Sequence, residues 1–157
     1  MRPRLVGIGN PLRGDDAAGL LVARRVRELA GPDDVEVVEL EGEPVRLLDA
    51  WEGAELAIVV DALCSGAEAG ETSRFDVSRE PLPAEAGASS THALGLADVI
   101  ELGRALGRLP ARLIVIGIEG ADFGAGAAPS EAVVRAVETV ALDIAAHPAR
   151  PLSSAAG

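Results

Sequence analysis

The sequence predicts one α/β domain, a mainly parallel, twisted sheet of about five strands with helices on both faces. Short apolar runs alternate with stretches of helical periodicity along the chain. Two runs, Leu56 to Val60 and Arg112 to Ile118, are almost unbroken in their apolar character, as strands covered on both faces are. The 157 residues suffice for one core, and no repeat or linker divides them. The domain is expected over residues 1–146.

The elements follow in order. Arg4 to Gly9 reads as a first strand, broken by Asn10-Pro11. Beyond Asp15-Asp16, the residues Ala18, Leu21, Val22, Val26 and Leu29 share one helical face until Gly31-Pro32 stops the helix. Val35 to Leu40 is a second strand. Pro44 to Trp51 is a short helix, with Pro44 in the first turn where a missing N–H costs nothing. The run Leu56 to Val60 is a central strand ending at Asp61. Within the Gly, Ala, Glu, Pro and Ser-rich stretch 62–91, only Glu71 to Val77 reads as extended, an edge strand. Ser89, Ser90 and Thr91 supply capping side chains for a helix from about His92 to Leu106, with Leu96, Val99, Ile100 and Gly103 on its inward stripe. Pro110 separates it from the strand Arg112 to Ile118. A glycine-rich loop, Glu119 to Ala128, leads through Pro129-Ser130 into a last helix ending near Ala146. Residues 147–157 lack periodicity and are expected to be a disordered tail.

Composition excludes several functions. Net charge is −11, against the clustered cations that nucleic-acid binding requires. Every cation is Arg, so lysine chemistry is absent. One cysteine cannot form an internal disulfide, and neither a leader nor an 18-residue apolar span is read. A cytoplasmic, acidic protein without a membrane segment is the expectation.

Ligands of open parallel sheets collect beyond the carboxyl ends of the strands. Asp15, Asp16, Asp61 and Glu119 are therefore the acids to consider. Acids at a helix start gain about 0.3–1 kcal/mol from the dipole, so Asp15 reads as a cap and Asp16 is freer to face a rim pocket. A carboxylate after five apolar residues, Asp61, needs either solvent or a partner. His92 lies one turn before Leu96 on the inward stripe, and a helix N-terminus favours the neutral, metal-binding imidazole. Two carboxylates and an imidazole suit a borderline cation such as Ni²⁺ or Zn²⁺. Cys64 has no nearby His or cation and reads as a small filler or inert thiol. Gly7-x-Gly9 falls short of a dinucleotide fingerprint, because Leu12 occupies the third glycine position.

The stretch Gly7-Ile8-Gly9-Asn10-Pro11-Leu12-Arg13-Gly14-Asp15-Asp16-Ala17-Ala18-Gly19 resembles the opening signature of the hydrogenase maturation proteases, G-(I/V)-G-N-x-L-x-x-D-(D/E)-G-x-G. The resemblance continues through the strand ending at Asp61. It recurs at Ser90-Thr91-His92-Ala93-Leu94-Gly95-Leu96, at Val115 to Glu119 and at Pro129 to Val133. It implies a phosphorylase/hydrolase-like fold and an endopeptidase that trims the C-terminus of a nickel–iron hydrogenase large subunit. It further implies that Asp16, Asp61 and His92 contact nickel carried by the precursor, with no tightly bound metal of the protease's own. Ala17 departs from the family's usual Gly, and Asp16 stands where several relatives have Glu.

Two mechanisms fit these residues. Asp16 or Asp61 acts as general base on a water while the metal polarises the carbonyl, or the metal only positions the substrate and a carboxylate moves the proton. No Ser or Cys pairing favours an acyl-enzyme. The alternatives are a non-catalytic metal or partner-binding module on the same fold, and peptidyl-tRNA hydrolase, which shares G-x-G-N-P. The second lacks support from charge and from the absent Tyr.

Overall fold

The computed structural model describes residues 2–83 and 95–148. Five strands form one sheet in the order β2-β1-β3-β5-β4. These are β1 (Arg4–Gly9), β2 (Glu36–Glu41), β3 (Leu56–Leu63), β4 (Thr72–Asp76) and β5 (Arg112–Glu119). The first, second, third and fifth run parallel, while β4 pairs antiparallel on the β5 edge. The helices are α1 (Ala18–Leu29), α2 (Leu47–Ala50), α3 (Leu96–Ala105) and α4 (Glu131–Ala146), with 3₁₀ turns at Gly14–Ala17 and Pro44–Arg46.

Strand alternation divides the core into two layers. Leu5, Ile58, Val60, Ile114 and Ile116 point to the α1 and α4 side, where Val22, Val26, Val137 and Val140 meet them. Val6, Ile8, Ala57, Val59, Leu113 and Val115 point to the other side, against Leu47, Leu48, Trp51, Val99 and Ile100. Both faces of the central strands are thereby removed from water, which is why their sequences run apolar without alternating.

Several boundaries differ from the sequence reading, each for a physical reason. The central strand does not end at Asp61. Its pairing with β5 continues through Asp61↔Gly117 to Leu63↔Glu119, so the carboxylate belongs to the strand itself. On α1 the buried positions include Leu20 and Ala23, while Leu29 is exposed at the helix end. The helix is wedged against the sheet as well as against α4, so its apolar face is wider than a single stripe. The described part of the third helix begins at Leu96. Gly95 is extended (φ −79°, ψ 175°), and its N–H donates to the Asp98 carboxylate at 3.1 Å. The stripe Leu96, Val99, Ile100 and Gly103 is buried as expected. The expected start of this helix near His92 falls on residues 84–94, outside the described residues. His92 itself, with Ser89, Ser90 and Thr91, lies outside the described residues, as does the tail from residue 149.

Close packing explains two glycines flanking the opening loop, at the end of β1 and in α1. A Cβ on Gly19 would collide with the carbonyl oxygens of Val60 and Ile8, and one on Gly9 with that of Asp16. Only glycine lets α1 sit directly on β1 and β3. Ala17, in contrast, has φ −77° and ψ −7°, a conformation open to any L-residue. The departure from the family's Gly there displaces nothing.

Candidate active site

The chain leaves β1 for β2 through α1 and reaches β3 on the opposite side of β1. Adjacent strands β1 and β3 thus make a topological switch point, the crevice where ligands of such sheets bind. Asp16 follows β1 in the 3₁₀ turn, and Asp61 lies near the carboxyl end of β3. The fold brings these two acids to the same crevice.

Asp61 alternates with Ala57 and Val59, which puts it on the α3 side of the sheet. Its Oδ1 accepts the N–H of Ala62 at 2.8 Å. Burial pushes its carboxyl up to about 7, the nearby negative charge of Asp16 adds to the rise, and the Ala62 bond opposes it. A carboxyl poised near neutrality can take up or release a proton at working pH. Asp16 is half-buried.

Asp15 is not a helix cap. It is fully buried, and its carboxylate accepts N–H groups from a loop more than a hundred residues away. Oδ2 receives Ala121 N–H at 2.8 Å and Asp122 N–H at 3.1 Å, and Oδ1 receives Ser130 N–H at 2.6 Å. The Ser130 hydroxyl lies 3.1 Å and 3.0 Å from the two oxygens. Burial raises the affinity of this carboxyl for a proton, but the N–H groups of Ala121, Ser130 and Asp122 with the Ser130 hydroxyl outweigh it and hold it below the usual range.

Glu119 has a parallel role. Also buried, it accepts Ser65 N–H at 2.7 Å, Ser65 O–H at 2.8 Å and Gly66 N–H at 3.1 Å. Its carboxylate is committed to the loop after β3 rather than presented to the crevice. Neither role was legible in the sequence, because the donors are backbone groups of distant loops. Cys64 is exposed, so it is not the apolar filler that its position suggested.

Among the described residues, no group of three or more His, Cys, Asp and Glu side chains is arranged to hold a metal ion. Of the three side chains that the resemblance implies as nickel contacts, Asp16 and Asp61 are described and face one another electrostatically. No helix among the described residues is long and apolar enough to cross a membrane.

A model of the hydrogenase maturation protease family matches residues 21–147, most of the chain. That span includes Asp61 and begins just after the loop bearing Asp16. Among curated relatives, the hydrogenase expression/formation protein HupD of Bradyrhizobium diazoefficiens is 30% identical over 142 residues, covering 90% of this chain and 74% of that protein. The hydrogenase 2 maturation protease of Escherichia coli is 30% identical over 119 residues, 75% of this chain and 73% of its own. In three dimensions the chain is similar to the HycI maturation protease of Thermococcus kodakarensis, with a TM-score of 0.71, 33% identity and coverage of 92% and 90%. The maturating endopeptidase HybD of E. coli superposes with a TM-score of 0.79 at 26% identity, covering 94% and 93%.

A mostly parallel α/β sheet is here the scaffold of a peptide-bond hydrolase. The chain belongs to the hydrogenase maturation protease family, and its class is that of the maturation endopeptidases.

Proposed function

We propose that this endopeptidase removes a C-terminal peptide from the nickel-loaded precursor of a nickel–iron hydrogenase large subunit, recognising the nickel through Asp16, Asp61 and His92. The nickel is part of the substrate, and the protease keeps no tightly held metal of its own. The observation that carries the reading is the pairing of Asp16 with Asp61, whose carboxyl is pushed up to about 7. Two acids placed so that both resist ionising together gain from a cation between them, which favours the doubly ionised form.

The same pair offers a base. With the precursor's nickel seated, one carboxylate accepts the proton of an attacking water, and the proton passes to the departing amine as the peptide bond breaks. The metal either polarises the scissile carbonyl or only sets the distance between bond and base. Leu12, 73% exposed on the loop leading to Asp16, offers an apolar contact beside the crevice. We place the reaction in the cytoplasm.

The experiment is to mix the protein with precursor large subunit in nickel-loaded and nickel-free forms and follow the mass of the product. Trimming of the loaded form alone supports both the substrate and the recognition role. Trimming of neither form, or of both equally, removes the proposal.

A further inference from the structure

We infer that Asp15 is a positioning residue, a buried carboxylate latch that sets the turn bearing Asp16 against the loop of residues 120–130. The inference rests on the reading of Asp16 as a site residue. The turn Gly14–Ala17 is four residues long, too short to hold itself in place. Locally, Asp16 N–H donates to the Arg13 carbonyl at 3.1 Å, Asn10 N–H to the Asp16 carbonyl at 3.3 Å, and Ala18 N–H to the Asp15 carbonyl. The far loop adds a second set of ties.

Main-chain ties cross between the two segments: Asp15 N–H to the Asp122 carbonyl at 2.8 Å, Gly14 N–H to that of Ala127 at 3.1 Å, and Gly126 N–H to that of Leu12 at 2.8 Å. The Asp15 carboxylate closes the set with three backbone N–H groups and the Ser130 hydroxyl. Its charge is balanced by amide dipoles, including the N–H of Ser130 at the N-cap of the 16-residue α4, where an anion is favoured. Ser130 stands at the N-cap of α4 but makes no side-chain capping bond, and its hydroxyl serves Asp15 instead. Gly120 completes the fit, because a Cβ there would lie 2.8 Å from that of Asp15. With every donor pointed at it, this carboxylate is spent on geometry and is unavailable for proton transfer. Moving the turn moves Asp16 relative to Asp61, which belongs to the rigid strand β3.

The variant Asp15→Asn keeps the shape but turns an NH₂ group toward N–H donors. It is assayed with Ser130→Ala on the nickel-loaded precursor, alongside amide hydrogen exchange. For Asp15→Asn we expect kcat to fall about 10- to 100-fold with KM within about twofold, since misplacing a reacting group by an ångström costs on that scale. Exchange should quicken at Ala121, Asp122 and Ser130 while β1, β3 and β5 keep their protection. Ser130→Ala, which retains the backbone bond, should lower kcat about threefold, in line with one lost hydroxyl bond. A merely structural role would leave kcat intact wherever the variant is folded. Unchanged exchange, or wild-type kcat in a variant whose loop amides have loosened, overturns the latch. Should Asp15→Asn not fold, wild-type kcat in Ser130→Ala overturns it. If the unaltered protein does not trim the precursor, the functional proposal fails, and the exchange data alone decide the latch.

Discussion

The charge of Asp16, in a turn after the first strand, helps to hold a proton on Asp61 in the third. The two are distant in sequence and meet because β3 lies beside β1 with the connection between them crossing the sheet. Burial of Asp61 and the repulsion between the two acids store free energy in the site that ionisation must overcome.

That stored energy gives Asp61 a sign for its pH dependence. Its folded carboxyl titrates at about 7, against an ordinary value of 3.8. Between those values the folded state binds more protons than the unfolded, so stability falls as pH rises through the window and is flat above it. Asp61→Asn keeps the acceptor for Ala62 N–H and removes the ionisation. Urea midpoints should show the variant about equal to wild type near pH 4 and more stable at pH 8, by on the order of 2 kcal/mol. Equal midpoints at both pH values would count against a desolvated, repelled carboxylate. Trimming should be lost in the same variant.

The glycine of α1 and the alanine before it should respond oppositely to exchange. Gly19→Ala drives a methyl into the Val60 and Ile8 carbonyls and should cost about 2–3 kcal/mol or prevent folding. Ala17→Gly only frees a backbone already in an ordinary conformation and should cost about 0.5–1 kcal/mol. Thermal melts separate the two, and the order of the losses is the point at risk.

Removing His92 tests the third member of the proposed site. His92→Ala should abolish processing while circular dichroism and melting temperature stay near wild type. Normal trimming by this variant would end its role in recognition.

Glu119→Gln should destabilise by about 1–3 kcal/mol, because three donors from Ser65 and Gly66 then face one amide oxygen and a competing NH₂. A melting temperature within a degree of wild type would show that the loop after β3 is held by other bonds, such as Gly120 N–H to the Leu63 carbonyl.

Local pattern sufficed for much of the molecule. The apolar runs of β3 and β5, the edge strand near Thr72 and the stripe Leu96, Val99, Ile100 and Gly103 are readable because burial on a strand or helix repeats at a fixed period. The motif around Asp16 and the apolar run before Asp61 singled out those two acids. Three matters lay beyond pattern. Asp15 and Glu119 resemble rim acids in one dimension, and only the folded chain shows them consumed by backbone N–H groups of loops far away. Gly95 is extended at the start of the helix from Leu96, and that backbone lets Asp98 reach its N–H. The raised proton affinity of Asp61 has no local cause either. It depends on how much protein surrounds the carboxyl and on the charge standing opposite. Periodicity and composition act along the chain, so sequence alone determined the layers and the residues offered to the rim. Hydrogen-bond partnership and desolvation act through space, and only the tertiary structure decided which of those acids backbone donors engage.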